Sequence, residues 1–484
     1  MPVGRYRYTR LRWRILVRAL DSVGSVALRC WRWVRPARRV EAPRRIVVVQ
    51  LDHLGDAVLT SPMLERLRAA YPGATIDVLA SPSNREVFEA DPRVDRVRIA
   101  ARSWFERRRG RWAVASAVWE LGRVLRGGGY DLGIDVRGDI LTVLVLALAG
   151  IPRRVGWAMG GGGFLLTDVA DWVPGRHEVV SRLALLDRLG LPADGSARVV
   201  VPVNDRDRIL VGQWLREAWP ERPQRASGAI ARAWRKVAIG GRATTRPAPS
   251  GPILLDEPDG RDIGRFGASA PLLAVHLGAG TAAKRWPPAH WKALIGQYLD
   301  DGWRVVVVGG PEDFEAASGL APHAGLRDWT GRMTVPQTAA LLERADLFIG
   351  SDSGPAHLAA CAGIASVVLF SGTNQSRQWR PWSRRSLVLR HHVPCRPCHQ
   401  KVCPLADHPC MAGLRPDRVS RAARRWWARL HREESPHAPL EKTLRDHSGP
   451  HTPQLICERD DIDGSPPSPL AGLRERCFFQ PDTR

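Results

Sequence analysis

The chain has 484 residues, 44% of them hydrophobic, with a formal net charge of +23. Such a length suits two or three globular domains with real cores. No apolar run approaches the roughly 20 residues that a membrane-spanning helix needs, and no leader-like apolar region follows the basic N-terminus.

Residues 1–45 hold thirteen arginines and two acids. Within residues 10–20, Arg10, Arg14 and Arg18 form one helical stripe, and Trp13, Leu16, Val17 and Leu20 form the opposite one. This pattern predicts a basic amphipathic arm over residues 1–44, suited to an anionic membrane surface. A solvated arm is the plainer alternative. No reader motif accompanies the charge, so nucleic acid is not an expected partner.

From Arg45 to about Pro220 strand-like and helix-like runs alternate, which predicts an α/β domain over 45–220 with a parallel sheet. Its first apolar run, Arg45–Leu51, leads into Asp52-His53-Leu54-Gly55-Asp56. Asp56 then falls near the positive end of the first helix, where a carboxylate is a common structural feature. Ile140–Ile151 reads as a buried helix. Residues 221–270, rich in Arg, Gly, Pro and Ala, read as a linker with an insertion.

A second β–α series predicts another domain over 271–432, closed by a basic helix at 415–431. Strand Ala274–Leu277 is followed by Gly278-Ala279-Gly280-Thr281-Ala282-Ala283-Lys284. Small residues expose backbone N–H groups and the lysine offsets charge, as a phosphate-bearing ligand requires. The spacing mimics the dinucleotide fingerprint, but Trp286-Pro287-Pro288 delays the next helix. Further on, Leu347–Ile349 leads into Gly350-Ser351-Asp352-Ser353-Gly354-Pro355-Ala356-His357. A strand, a tight polar turn and a helix start are how α/β proteins build an anion site, though an ordinary capped turn has the same order. Cys395, Cys398, Cys403 and Cys410 cluster near His391, His392, His399 and His408. The first pair has metal-ligand spacing and the second does not, so reduced, stabilising cysteines are expected ahead of a metal site. Residues 433–484 are polar and Pro-rich, the composition of a disordered tail.

Three blocks, QLDHLGDAVLTSP, HLGAGTAAKRWPPAHW and SDSGPAHLAA, resemble those of the ADP-heptose:lipopolysaccharide heptosyltransferases, glycosyltransferase family nine. DLGIDVR, Arg153–Gly156 with His177-Glu178, and VVVVGGPE resemble further blocks, in order, from about Arg44 to His431. The resemblance implies the GT-B architecture, two Rossmann-like domains facing across a cleft. It implies an inverting transfer of a sugar, heptose above others, from a nucleoside-diphosphate sugar to an envelope glycolipid acceptor, without metal or other cofactor. It carries over Asp56 as the general base. Lys284, Gly280, Thr281, Asp352, Ser353, Gly354 and His357 become donor-binding residues, with Glu312 reaching the ribose or Glu315 in a shifted register. The chain departs from several characterised members in having Ser353-Gly354-Pro355 for Thr-Gly-Leu. An enzyme of this family would work at the cytoplasmic face of the inner membrane. An epimerase-like enzyme on the same architecture and a catalytically silent envelope-surface binding protein are the alternatives. Asp56, Lys284 and the SDSGPAH block together disfavour the silent one.

Overall fold

The computed structural model describes residues 11–34, 40, 42–100, 111–191, 197–220 and 270–433. Most of the expected 221–270 linker and nearly all of the tail lie outside the described residues.

The first half builds a six-stranded sheet from β1 (Arg45–Gln50), β2 (Thr75–Ala80), β3 (Arg96–Ile99), β4 (Leu132–Asp135), β5 (Arg153–Trp157) and β6 (Asp168–Ala170). Its order is β3-β2-β1-β4-β5-β6, and every pairing is parallel. The second half repeats this with β7 (Leu272–His276), β8 (Arg304–Val307), β9 (Leu326–Asp328), β10 (Leu347–Ser351), β11 (Ala365–Phe370) and β12 (Ser386–Arg390). Its order, β12-β11-β10-β7-β8-β9, is the same topology, again all parallel. Parallel strands covered by helices on both faces need near-continuous apolar runs, and Ile46–Val49 and Val305–Val307 supply them, all buried.

The helices of the first half are α1 (Leu11–Val34), α2 (Leu54–Ala70), α3 (Glu86–Glu89), α4 (Arg111–Arg126), α5 (Ile140–Leu148), α6 (Glu178–Leu183) and α7 (Asp205–Ala218). Those of the second are α8 (Pro288–Asp300), α9 (Phe314–Ala317), α10 (Val335–Leu342), α11 (Gly354–Ala362), α12 (Ser376–Trp379), α13 (Pro409–Ala412) and α14 (Pro416–Glu433). Strand alternation sorts the first set onto two faces. Val47, Val49 and Leu79 pack under α4 and α5. Ile46, Val48 and Val78 pack under α2, in a cluster that continues into the second half through Leu358 and Ala359 of α11.

That shared cluster fixes how the halves meet. α2 packs on α11, and α7 packs on α10. Arg208 of α7 grips Glu343 with two bonds of 2.8 and 3.0 Å, and the Trp219 indole donates to the Ala324 carbonyl at 2.9 Å. In both sheets the chain reverses direction across the strand order, between β1 and β4 and between β7 and β10. Doubly wound sheets bind ligands at such switch points, beyond the strand C-termini. The segments that follow β1, β7 and β10 are those singled out in the sequence.

α1 corrects the arm's expected stripe. Val17 is not on an exposed apolar face: it is buried against Gly161. Among the described side chains of α1, Ile15, Leu16, Leu20, Val23 and Val26 are large, apolar and exposed. No helix of the described residues is long and apolar enough to cross a membrane.

Candidate active site

A cleft of about 600 Å³ lies between the two sheets. Its wall includes Asp56 from the first half and Gly280, Lys284, Glu312, Asp352, Ser353, Gly354 and His357 from the second. Thr281 is not in that wall; its hydroxyl is buried, with no hydrogen-bond partner. Glu315 is absent from the wall too, so the GGPEDFE register brings Glu312 to the cleft.

Two helix N-termini meet here. Asp56 sits in the first turn of α2, and Gly354 opens α11. Only glycines allow so close an approach. A Cβ at Gly55 would come within 2.8 Å of His357 Cδ2, and one at Gly354 within 2.6 Å of Leu54 Cδ2. Both helix dipoles therefore point positive ends into one space, which favours an anionic ligand.

Asp56 is held from behind. The Arg182 guanidinium, 2% exposed, donates from Nη2 to Asp56 Oδ1 at 2.8 Å and lies 3.5 Å from Glu178 Oε2. One carboxylate oxygen is thus spent on the arginine while the side chain still lines the cleft. On the other side, Lys284 Nζ donates to Asp352 Oδ2 at 2.7 Å, and Asn374 Nδ2 donates to the same oxygen at 3.1 Å. His357 lies between these groups. Burial pushes its pKa down to about 4, against the opposing pull of Asp352 and Asp56, so the ring is neutral at pH 7.

Ser353 occupies the cap position of α11 but does not cap it. Its hydroxyl lies 2.9 Å from His276 Nδ1 and donates to the Ser351 carbonyl at 3.0 Å. His276 Nε2 lies 3.0 Å from Asp313 Oδ2. Burial alone would raise the Asp313 pKa, but the His276 contact and the Gly310 N–H bring it below the ordinary carboxylate value. This buried Asp313–His276–Ser353 chain explains Gly278 as well. A Cβ there would lie 1.7 Å from Asp313 Oδ1, whereas Gly280 faces open space. Of the two loop glycines, only Gly280 leaves room toward a ligand.

The lysine turn rests on the cysteine-rich segment. Ala283 N–H donates to the Lys401 carbonyl at 2.9 Å, and the Ala283 carbonyl lies 3.1 Å from His408 Nε2. Cys395, Cys398, Cys403 and Cys410 line one small cavity beside Ala283. Among the described residues no group of three or more His, Cys, Asp or Glu is arranged to hold a metal ion.

Sequence reading missed Arg182, His276, Asp313 and Asn374. His276 ends β7 and Arg182 lies one helical turn after Glu178, signals too common to single out. Their importance comes from partners 37 to 126 positions away.

The family model for glycosyltransferase family 9 (heptosyltransferase) matches residues 246–408. Lipopolysaccharide heptosyltransferase 1 of Pseudomonas aeruginosa is 27% identical over 375 residues, spanning 74% of this chain and 87% of that protein. Over residues 246–408 the chain carries a glycosyltransferase family 9 domain. Two solved structures show the fold of this glycosyltransferase. Escherichia coli ADP-heptose lipopolysaccharide heptosyltransferase II superposes with a TM-score of 0.57 at 20% identity, over 80% of this chain and 99% of that one. A family 9 glycosyltransferase from Veillonella parvula gives 0.59 at 20% identity, over 81% and 99%. The two facing Rossmann-order sheets are accordingly the GT-B architecture.

Proposed function

We propose that this glycosyltransferase moves heptose from ADP-heptose to a lipopolysaccharide-type glycolipid acceptor, with inversion at the sugar carbon. The observation that carries this reading is the meeting of Asp56 with the Lys284–Asp352 pair across one cleft, beneath two helix N-termini. The bond between the anomeric carbon and the donor phosphate breaks, and its electron pair leaves with the nucleoside diphosphate. The acceptor hydroxyl oxygen bonds to that carbon from the opposite face. Its proton passes to Asp56, through the carboxylate oxygen that Arg182 does not hold. Lys284 and the N-terminus of α11 stabilise the charge on the departing diphosphate. Asp352 and His357 fix the lysine and the donor, and Glu312 takes the ribose.

Donor and acceptor halves come from different domains, so domain closure assembles the site. The first domain, 45–220, takes the acceptor and the second, 271–432, takes the donor. The arm over residues 1–44 brings the enzyme to the cytoplasmic face of the membrane that holds its acceptor. The test is direct: purified protein is incubated with ADP-heptose and other sugar nucleotides, with and without lipid acceptor, and the released nucleotide is identified. Acceptor-dependent ADP release is the expected result. Release from a different sugar nucleotide alone would reassign the donor.

A further inference from the structure

The outer helices of the first domain form a surface that the transfer chemistry does not use. α4 and α5 cover the face of the sheet turned away from the interdomain cluster. α1 packs on the turn after β5, the same turn that α5 contacts. Val17 packs on Gly161, the Phe164 ring sits against Gly24, and Asp21 Oδ1 accepts from Gly162 N–H at 2.8 Å.

The outward sides of these helices are unusually apolar. On α1, Ile15 is 60% exposed and Val26 is 61% exposed. They lie on the side of the helix opposite Val17 and Gly24. On α4, Trp112 is 89% and Trp119 is 55% exposed, two turns apart and opposite the buried Val118 and Leu121. Leu144 of α5, the helix that packs on α4, is only partly covered.

Charge identifies the occupant. α1 carries five arginines and a single acid, Asp21, which is buried and bonded to the Gly162 N–H. α5 carries no charge, and α4 carries three arginines against Glu120. Arg12, Arg18 and Arg123 are exposed along the same helices. Two copies of an arginine-rimmed face would repel each other, whereas an anionic bilayer offers both a negative surface and an apolar interior.

We propose that α1, α4 and α5 form one membrane-docking face, with Trp112 and Trp119 entering the headgroup boundary beside the aliphatic side of α1. The lipid surface is taken from the membrane reading above, but this proposal adds a second anchor that the arm does not contain. Tryptophan suits that depth because its ring is apolar and its N–H remains near water.

The experiment floats full-length protein on phosphatidylcholine vesicles with and without phosphatidylglycerol. The proteins compared are wild type, Trp112→Ser/Trp119→Ser, Ile15→Ser/Val26→Ser, and a chain lacking residues 1–40. Each pair of exposed side chains should weaken binding to the anionic vesicles by about tenfold or more, with the melting temperature unchanged. Transfer to a soluble acceptor analogue should also be unchanged. Wild-type binding by the tryptophan variant would overturn the docking face; if truncation alone then abolished binding, the arm reading would survive it. If neither change weakened binding, both would fall. Concentration-dependent dimerisation lost in the tryptophan variant would assign the face to a second copy and overturn the lipid proposal.

Discussion

Replacing Lys284 by alanine tests the donor half of the site most directly. Lys284 is about one-fifth exposed, and its ammonium sits 2.7 Å from a nearly buried Asp352 carboxylate. A charge-assisted hydrogen bond contributes about 1.5–3 kcal/mol, so loss of the lysine should weaken donor binding or kcat/KM by roughly 10- to 150-fold. The substitution has a second effect. It leaves Asp352 Oδ2 with Asn374 as its remaining side-chain donor, and the lost pairing destabilises the folded chain. The two effects separate in a cycle with Asp352→Asn. Neutralising the orphaned carboxylate should return much of the lost stability, measured by denaturant midpoint, while donor affinity, measured calorimetrically, stays low. Unchanged kinetics of Lys284→Ala with every accepted donor would remove the lysine from the site. Recovery of donor affinity in the double variant would mean that the lysine acts only by neutralising Asp352.

Asp56→Asn should lower turnover by about 100-fold or more while leaving donor affinity nearly intact, checked by steady-state rates beside direct donor binding. Arg182→Gln should release the Asp56 carboxylate from its fixed orientation and lower turnover while donor affinity stays near the wild-type value; Arg182→Lys should restore part of the lost turnover. A loss of folded protein with unchanged turnover per folded molecule would reduce Arg182 to a packing role. The third expectation concerns pH and stability. Burial lowers the His357 pKa to about 4 and that of His177 to about 3, while burial raises that of Asp135 to about 7. Between about pH 4 and 6.5 the unfolded chain therefore binds two histidine protons that the native chain refuses. The native chain keeps one Asp135 proton that the unfolded chain has lost. The net difference from these three groups is one proton toward the unfolded state, and His290, lowered by burial, adds in the same direction, so stability should rise with pH by at least roughly 1.4 kcal/mol per unit across that window. Denaturant midpoints at several pH values check the sign, and Asp135→Asn should steepen the slope.

The fold was legible because its signals are local. Apolar runs such as Arg45–Leu51, each followed by a polar turn and a helix, predict parallel strands, and three such turns fall at the switch points of the two sheets. The direction of side chains was less legible. Val17 lies in the apolar stripe of the arm, yet Gly161, where a Cβ would lie 2.6 Å from Val17 Cγ1, lets α1 approach so closely that this residue is buried. Thr281 belongs to a small-residue loop that looks uniformly open, yet its hydroxyl turns inward. Glu312 and Glu315 could be separated only once the turn at Pro311–Asp313 was seen.

What no local pattern could show is that the site depends on contacts across the whole chain. Arg182 reaches Asp56 because α6 packs on α2, and His276 reaches Asp313 because β7 and β8 are neighbours. Both pairs place a buried partner behind a group in or beside the cleft wall. A carboxylate fixed by a 2%-exposed guanidinium cannot rotate without giving up its short charge-assisted bond and leaving the buried cation only the longer contact to Glu178. Ser353, drawn to His276, is likewise kept from capping α11, which leaves that helix end to a ligand. The glycines at 55, 278 and 354 follow from the same demand, since each sits where a side chain would collide with one of these groups or push the two helix ends apart. The sequence motifs therefore mark where the backbone must come close, and the charged residues behind them decide which atoms face the substrate.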